Sequence, residues 1–206
     1  MKFIDAYKTT KSPTILLTHG ASQGAHSDFM VQITDQLRMH KLQVLRLNFA
    51  YMNTIEQTGK KRPPGRIDKL CDEFSEQLSE LPNRVWIGGK SMGGRVASLV
   101  ANHPNVMGVV ALGYPFHPPG KPEKLRTEHL ASFTKPMLIL QGTRDPFGKP
   151  QEVKSYTLSE HIKVHWLEDG DHSFQSLKRS QYTSTELIAQ AAQEAVAFIQ
   201  SQTPKQ

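Results

Sequence analysis

Short apolar runs alternate with longer amphipathic stretches along nearly the whole chain, and this alternation constrains the fold more than any other feature. The runs are typical of buried strands, and the stretches place apolar residues on one face of a helix. We predict strands over residues 2–7, 14–18, 43–49, 84–88, 106–113, 136–142 and 161–167. We predict helices over residues 27–40, 66–81, 91–102, 149–159 and about 184–200, with a long polar loop after residue 49. This order favours an α/β fold with a mostly parallel sheet and helices on both faces.

The length and composition favour one globular domain over residues 1–206. A chain of 206 residues, 37% of them hydrophobic, can bury a substantial core without disulfides or metals. Cys71 is the only cysteine, which excludes an intramolecular disulfide and favours a packed thiol in a reducing compartment. The first residues contain no apolar run long enough for a signal peptide, and no stretch is long enough to span a bilayer. We therefore expect a cytoplasmic protein without a membrane partner.

The formal net charge of +6 raises the question of nucleic-acid binding. The basic residues are dispersed and do not interleave with aromatic ones, so a solvated excess of charge is favoured and we expect no nucleic-acid partner. Two predicted loops are locally basic, and their basic residues are Lys60, Lys61, Arg62 and Arg66 in one and Lys121, Lys124 and Arg126 in the other. These loops predict a basic rim that favours an anionic substrate, and ordinary solvated loops remain the alternative.

Residues 85–97 run from an apolar, strand-like stretch through a glycine-rich turn into a helix-like stretch. Within them, the residues from Gly89 through Ser91 to Gly93 match G-x-S-x-G, the nucleophile elbow, where a serine occupies a strained turn and glycines on either side avoid a clash. The alternative is a phosphate-binding loop, G-x-x-x-x-G-K-S. It fails because Arg84 stands where the first glycine is needed and the apolar strand continues to residue 87.

A serine nucleophile requires a histidine base and an orienting carboxylate. Asp145 and His172 each come shortly after a predicted strand. Because functional groups gather at the carboxyl ends of parallel strands, we predict that Ser91, Asp145 and His172 meet at one edge as nucleophile, acid and base. Asp169 and Asp171 are alternatives for the acid, but they flank the histidine in its own loop and reach its far ring nitrogen poorly.

A serine hydrolase also needs donors for a developing oxyanion. The candidates are the backbone N–H groups of Met92, directly after the nucleophile, and of Ala21, in the loop after strand 14–18. His19 and Gly20 precede Ala21, and His19 is predicted to orient this loop rather than to transfer protons. No cluster of ligand residues has the spacing of a metal site and no dinucleotide motif is present, so we expect neither a metal nor a cofactor.

Several segments, spread over most of the chain, match segments of a known family. They are residues 19–21 with 27–30, 48–52, 61–64, 89–95, 113–121, 141–147 and 171–174. On these segments the chain resembles the α/β-hydrolase superfamily, and more narrowly a dienelactone-hydrolase-like group that includes bacterial predicted hydrolases and the animal testis-expressed protein 30. The resemblance implies the α/β-hydrolase fold and a triad of Ser91, Asp145 and His172. Ala50 stands where the resemblance leads us to expect proline, a departure that touches loop geometry and leaves the triad unchanged.

The resemblance also bears on the reaction. Many relatives insert a helical lid between positions 113 and 135, whereas about 20 residues are available here, so we expect no substantial lid and a preference for small acyl groups. The predicted function is hydrolysis of an ester or thioester through an acyl-enzyme, as in carboxylesterases and thioesterases. The alternative is a non-enzymatic protein-interaction module on the same fold, since one relative in a chromatin-modifying complex looks like a scaffold. The sequence does not predict an oligomeric state.

Overall fold

Six parallel strands form one sheet in the computed structural model, which describes residues 3–8 and 12–202. The strands are β1 (Thr14–Thr18), β2 (Gln43–Leu47), β3 (Val85–Lys90), β4 (Val106–Leu112), β5 (Met137–Gly142) and β6 (Ile162–Leu167). Their spatial order is β2-β1-β3-β4-β5-β6, and every neighbouring pair is parallel. The predicted parallel sheet is confirmed. The strand order changes direction between β1 and β3, where a crevice opens at the carboxyl ends of the strands.

Helices cover both faces of this sheet. They are α1 (Asp28–Met39), α2 (Ala50–Thr58), α3 (Ile67–Ser79), α4 (Met92–Leu99), α5 (Pro150–Val153) and α6 (Ser184–Gln202). α1 and α6 pack together over one face, whereas α3 and α4 cover the other. No helix in the described part of the chain is both long and apolar enough to cross a membrane.

Alternate residues of the central strands point into two apolar cores, as the pleat of a strand requires. In β1, Leu16 belongs to the core beneath α3 and α4, while Ile15 and Leu17 belong to the core beneath α1 and α6. Every residue of β3 is buried. Burial on both faces explains the continuous apolar run of β3, and it fixes the position of the residue that follows this strand.

The prediction of an edge strand over residues 2–7 is wrong for the residues that the structure describes, and residue 2 lies outside them. Residues 3–8 form a bend beside β2. One ladder-like bond forms, from the Ile4 N–H to the Arg46 carbonyl at 2.9 Å. The Arg46 N–H instead donates to Asp5 Oδ2, also at 2.9 Å. Because a carboxylate takes the donor that a neighbouring strand would use, strand pairing stops after one bond.

The polar loop predicted after residue 49 contains a helix, α2. Met52 is its one buried residue, so the segment lacks the apolar periodicity that would reveal a helix. α2 ends at Gly59, whose φ of 69° is the left-handed conformation common after a helix. Ala50 occupies the first helical position, where proline is also well accommodated, and its N–H donates to Glu73 Oε2 at 3.0 Å.

The helix predicted over residues 149–159 is much shorter than expected. α5 spans Pro150–Val153, and the N–H groups of Ser155 and Tyr156 bond three residues back rather than four. The remaining predicted helices are confirmed to within a few residues. Residues 113–135, predicted to form no substantial lid, contain a single 3-10 helix at Glu128–Leu130. The crevice at the carboxyl ends of the strands is therefore left without a helical cover.

Candidate active site

The predicted site residues follow three strands that end at the same edge of the sheet. Ser91 comes directly after β3, Asp145 lies in the loop after β5, and His172 lies in the loop after β6. The His172 loop crosses the end of β4, which lies between β3 and β5. Gly113, with φ 67°, marks that crossing, and a Cβ there would lie 2.9 Å from the His172 carbonyl oxygen. A side chain at position 113 would therefore push the histidine loop away.

Ser91 has the strained backbone expected of a nucleophile elbow. Its φ of 52° and ψ of −111° lie far from the usual regions for a residue with a side chain. A Cβ on Gly93 would lie 2.5 Å from Thr18 Oγ1 and 2.7 Å from the His19 carbonyl oxygen, and one on Gly89 would also collide with Thr18. The two glycines therefore let the elbow pack directly against the end of β1.

The structure brings Ser91, His172 and Asp145 together in one chain of hydrogen bonds. His172 Nε2 lies 2.8 Å from Ser91 Oγ, and His172 Nδ1 lies 2.8 Å from Asp145 Oδ2. Asp145 is fully buried. Its carboxylate also accepts hydrogen bonds from the Gln141 side-chain amide and the Phe147 N–H, each at 2.9 Å. These bonds fix the carboxylate toward the histidine ring.

The two alternative acids take other roles. Asp171 Oδ1 accepts the N–H groups of Ser173 at 2.7 Å and Gln175 at 2.9 Å, which closes the turn around His172. Asp169 adopts a left-handed backbone with φ 57° in the same loop. Asp145 is thus the carboxylate hydrogen-bonded to the histidine ring, as the sequence analysis favoured.

The surroundings of His172 favour its neutral form. Burial lowers the pKa of its imidazole and outweighs the opposing hydrogen bond and charge of Asp145, while the charge of Lys90 lowers the pKa further. The Phe147 ring stacks on the imidazole with ring centroids 4.1 Å apart. A neutral imidazole with its Nδ1 toward a carboxylate leaves Nε2 free to accept a proton from Ser91.

Lys90 is a buried cation next to the serine, and the sequence analysis assigned it no role. Its Nζ donates to the His172 carbonyl oxygen at 2.5 Å and lies 5.5 Å from the centroid of the Phe29 ring. Burial lowers the pKa of the Lys90 ammonium to about 8, and the charges of Asp145 and Asp171 oppose this shift. Lys90 thereby ties the end of β3 to the histidine loop.

The predicted oxyanion residues lie beside the serine. Ala21, Ser91 and Met92 line the same cavity, and the Met92 N–H is at the first position of α4, where no earlier turn supplies an acceptor. The Tyr51 hydroxyl donates to the carbonyl oxygens of Gly20 at 3.3 Å and Ala21 at 3.0 Å. The loop that presents Ala21 is therefore anchored by a side chain from α2.

His19 occupies a supporting position. It is fully buried, its Nδ1 lies 2.6 Å from the Gly20 carbonyl oxygen, and its Nε2 accepts the Phe49 N–H at 3.1 Å. Burial lowers the pKa of this imidazole, which outweighs the opposing hydrogen bond to Gly20. With both nitrogens engaged, the neutral ring joins the loops that follow β1 and β2, which fits the orienting role predicted for it.

Two cavities open beside Ser91. One of about 390 Å³ is lined by Ala21, Pro64, Gly65, Ile67, Leu70, Ser91, Met92, Arg95, Pro115, Arg126 and Phe147. The other, about 200 Å³, adjoins His172 and Lys90. A larger depression of about 710 Å³ lies beside Asp5 and Gln43, away from the serine. The two cavities at Ser91 are therefore the candidates for binding a substrate.

The basic rim predicted from two loops is represented in the 390 Å³ cavity by Arg126 alone. The other six basic residues of those loops are exposed and line neither cavity at Ser91, and Arg66 is paired with Asp68 at 2.9 Å. Arg95, which the sequence analysis did not single out, lines the cavity with Arg126. Within residues 3–8 and 12–202, no cluster of histidine, cysteine and acidic side chains could hold a metal ion.

Three further residues belong to the site, and the sequence analysis assigned no role to them. Lys90 is one position before Ser91, and Arg95 is four positions after it, one helical turn along α4. Their closeness to the serine in the sequence was the signal that could have identified both. Gln141 lies near the end of β5, where an amide in an otherwise apolar run marks a buried polar group. Its side-chain oxygen accepts the Tyr114 N–H at 2.7 Å while its nitrogen donates to Asp145.

Known proteins share this architecture. A family model described as an alpha/beta hydrolase domain matches residues 11–200 of the chain. Among solved structures, a serine hydrolase without a lid from Xanthomonas campestris has a TM-score of 0.68 and 20% identity, covering 94% of this chain and 83% of that chain. Dienelactone hydrolase from Anabaena variabilis has a TM-score of 0.67 and 19% identity, with 94% and 88% covered. The esterase domain of a Rhodothermus marinus protein has a TM-score of 0.65 and 15% identity, with 94% and 89% covered.

Proposed function

Because the chain belongs to the family of alpha/beta hydrolase domains, we propose that it is a serine hydrolase that cleaves esters or thioesters of small acyl groups. The observation that carries the proposal is the chain of hydrogen bonds from Ser91 through His172 to Asp145, with both ring nitrogens at 2.8 Å from their partners. The lowered pKa of His172 supports it, because a base must be unprotonated to act. The solved structures named as a dienelactone hydrolase and an esterase support the same reaction class.

The mechanism follows from this arrangement. Ser91 Oγ attacks the carbonyl carbon while His172 Nε2 takes its proton and Asp145 stabilises the imidazolium. The N–H groups of Met92 and Ala21 donate to the oxyanion. When the tetrahedral intermediate collapses, His172 gives the proton to the leaving alcohol or thiol, and the acyl group stays on Ser91. A water molecule, deprotonated by His172, then attacks this acyl-enzyme. The bond from the acyl carbon to Ser91 Oγ breaks, His172 returns the proton to Ser91, and the acid is released.

Covalent labelling by a fluorophosphonate, read by intact mass, tests whether Ser91 is activated. We expect the wild type to gain one adduct, and Ser91→Ala and His172→Ala to gain none. Matched controls are Ser201→Ala and His161→Ala, which change an exposed serine and an exposed histidine outside the site. Both controls should label like the wild type. An unlabelled wild type would favour the alternative, a protein-interaction module that keeps the fold without the reaction.

Replacing Ser91 with alanine should abolish turnover rather than weaken binding. We expect kcat to fall by roughly 10⁴–10⁶, because the residual rate then comes from the oxyanion donors and binding alone. The measurement is hydrolysis of para-nitrophenyl butyrate by matched preparations of the wild type, Ser91→Ala and Ser201→Ala. A loss of only about tenfold in Ser91→Ala would exclude this serine as the nucleophile.

A further inference from the structure

Two arginines face the cavity beside Ser91 from different parts of the chain. Arg95 lies one turn into α4, and its N–H donates to the Ser91 carbonyl oxygen at 3.0 Å. Arg126 comes from the span between β4 and β5. Both line the 390 Å³ cavity together with Ser91, and both also line an adjoining cavity of about 430 Å³. Arg95 and Arg126 therefore line both the cavity at Ser91 and a second cavity beside it.

Neither arginine is neutralised by a carboxylate within the described residues. Arg38, Arg46 and Arg66 each pair with an aspartate, whereas neither Arg95 nor Arg126 forms an ion pair in the part of the chain that the structure describes. The Arg95 Nε is buried and has no hydrogen-bond partner among those residues. A buried donor without a partner is costly, so this nitrogen has an unused capacity to bind an acceptor.

Arg95 and Arg126 line the same two cavities, and the charge of one acts on the other. Burial lowers the pKa of Arg126, and the positive charge of Arg95 lowers it further. Burial and the same Arg95 charge also lower the pKa of His129, which lines the adjoining cavity. Glu128 lies in that cavity too, but it is exposed and pairs with neither arginine. Like charges held together in a partly buried site favour an anion between them.

The backbone at both arginines is held by its surroundings. The Arg126 N–H donates to the Phe116 carbonyl oxygen at 2.8 Å, and the Tyr114 hydroxyl donates to the Arg126 carbonyl oxygen at 2.9 Å. The Ser98 hydroxyl donates to the Arg95 carbonyl oxygen at 2.7 Å. Such bonds fix the positions from which the two side chains extend, which lowers the entropy lost when an anion binds.

We propose that Arg95 and Arg126 form a subsite for an oxyanion, a carboxylate or a phosphate, carried by the substrate at a distance from the scissile bond. The other residues that line this cavity are largely apolar and include Ile67 and Leu70. The substrate class is therefore an ester or thioester with a short apolar spacer between the reacting carbonyl and a terminal anion. This proposal rests on the proposed hydrolase function.

Paired substrates test the subsite. Mono-para-nitrophenyl glutarate and adipate carry a terminal carboxylate, and the matching carboxamides have nearly the same size without the charge. For the wild type we expect kcat/KM to be roughly 10- to 100-fold higher for the carboxylates, the effect of hydrogen bonds to a charged group. Rising salt concentration should reduce this ratio, because it screens the arginines. Para-nitrophenyl esters with a terminal phosphate then decide which of the two anions is preferred.

Variants assign the preference to the two arginines. Arg95→Gln and Arg126→Gln should each bring the ratio of carboxylate to carboxamide rates toward one, and Arg95→Lys and Arg126→Lys should give intermediate ratios. Arg179→Gln, which removes an exposed arginine outside both cavities, should keep the wild-type ratio. If a glutamine variant fails to fold, the wild type and the lysine variants can be compared instead by fluorophosphonate labelling in the presence of free adipate. Adipate should slow the labelling of the wild type more than that of the lysine variants.

The outcomes separate the two proposals. Equal rates on carboxylate and carboxamide esters by an active wild type would overturn the subsite and leave the hydrolase function standing. A wild type that neither labels nor cleaves either ester would overturn the proposed function itself. Glutamine variants that lose both rates equally would show that the arginines serve the fold and not an anion.

Discussion

The charges around His172 decide at which pH this side chain could serve as the proposed base. Burial and Lys90 lower its pKa, and Asp145 raises it, with a net shift below the ordinary value of 6.5. The Lys90 contribution comes from a buried ammonium whose Nζ is hydrogen-bonded to the carbonyl of the same histidine. One residue thus holds the histidine loop in place and adjusts the proton affinity of its ring.

We expect kcat/KM to rise with pH through an apparent pKa below 6.5, because protonated His172 cannot accept the serine proton. In Lys90→Met the lost positive charge should move this limb to higher pH, and the lost hydrogen bond should reduce kcat by about tenfold. The measurement is a pH–rate profile on a neutral ester, with Lys163→Met, an exposed lysine on β6, as the control. An unchanged acid limb in Lys90→Met would show that Lys90 has no electrostatic influence on the base.

At the scale of elements, the close contact between the start of α4 and the end of β1 determines whether the elbow can form. Gly93→Ala should destabilise the protein by about 2–3 kcal/mol, because its Cβ would meet Thr18 Oγ1 at 2.5 Å and two backbone carbonyl oxygens. Gly65→Ala is the control, since nothing lies within 4 Å of a Cβ there. Urea unfolding curves should show Gly65→Ala within about 1 kcal/mol of the wild type. Equal stability of the two variants would contradict this packing argument.

The ion pairs of Asp5 attach the first described segment to β2 and α1. Arg46 Nε and Arg38 Nη2 lie 3.0 Å and 2.6 Å from its carboxylate. Burial acts to raise the pKa of Asp5, but the hydrogen bonds and charges of Arg46 and Arg38 outweigh it, so the pKa lies below the ordinary value of 3.8. This contribution to stability is complete above that value and is lost as pH falls through the lower pKa of the folded state.

Asp5→Asn should therefore lower the free energy of unfolding at pH 7 by about 1–2 kcal/mol, because the one carboxylate that pairs with both arginines loses its charge. The difference from the wild type should shrink as pH falls below 3.8. Urea titrations at neutral and acidic pH measure both effects, and Asp35→Asn, on the exposed side of α1, is the matched control. A difference that grows in acid would contradict the assigned direction of the pKa shift.

Considering the whole molecule, an uncovered cavity of about 390 Å³ is small for a long acyl chain. We expect kcat/KM to fall by at least about tenfold from para-nitrophenyl butyrate to the palmitate ester, because the distal part of a long chain has no lid to bury it. The measurement is a chain-length series below the micelle concentration of each ester. Activity that rises through the long chains would indicate an apolar surface outside this cavity.

The sequence predicted the sheet well because its strands are buried on both faces. Such strands read as apolar runs, and β3 with its glycine turn placed Ser91 correctly. The sequence did not predict helix α2, because Met52 is its one buried residue. It wrongly predicted a strand for the first segment, where Asp5 accepts a hydrogen bond from a backbone N–H of β2. In both cases local side-chain contacts decide the structure, and periodicity does not report them.

The same distinction applies to the candidate site. Ser91, Asp145 and His172 could be paired in advance because each follows a strand, and strand ends meet by topology. The burial of Lys90 and the lack of an ion pair at Arg95 among the described residues could not be predicted, because a lysine or arginine has the same sequence signature whether its charge is solvated or enclosed. The roles of both residues depend on which loops cross above them.

The wide sequence separation of the serine and its partners has a consequence for how the protein matures. Ser91 and His172 are 81 residues apart, and their contact requires β4, β5 and β6 to be added to β3 in order. Contacts of such long range carry a large loop-closure entropy, which slows their formation. During synthesis Ser91 therefore emerges well before His172, the base proposed for it. If Ser91 is the nucleophile proposed above, a fluorophosphonate would mark only chains that have completed the sheet, and phosphonylation of Ser91 would report the completion of folding.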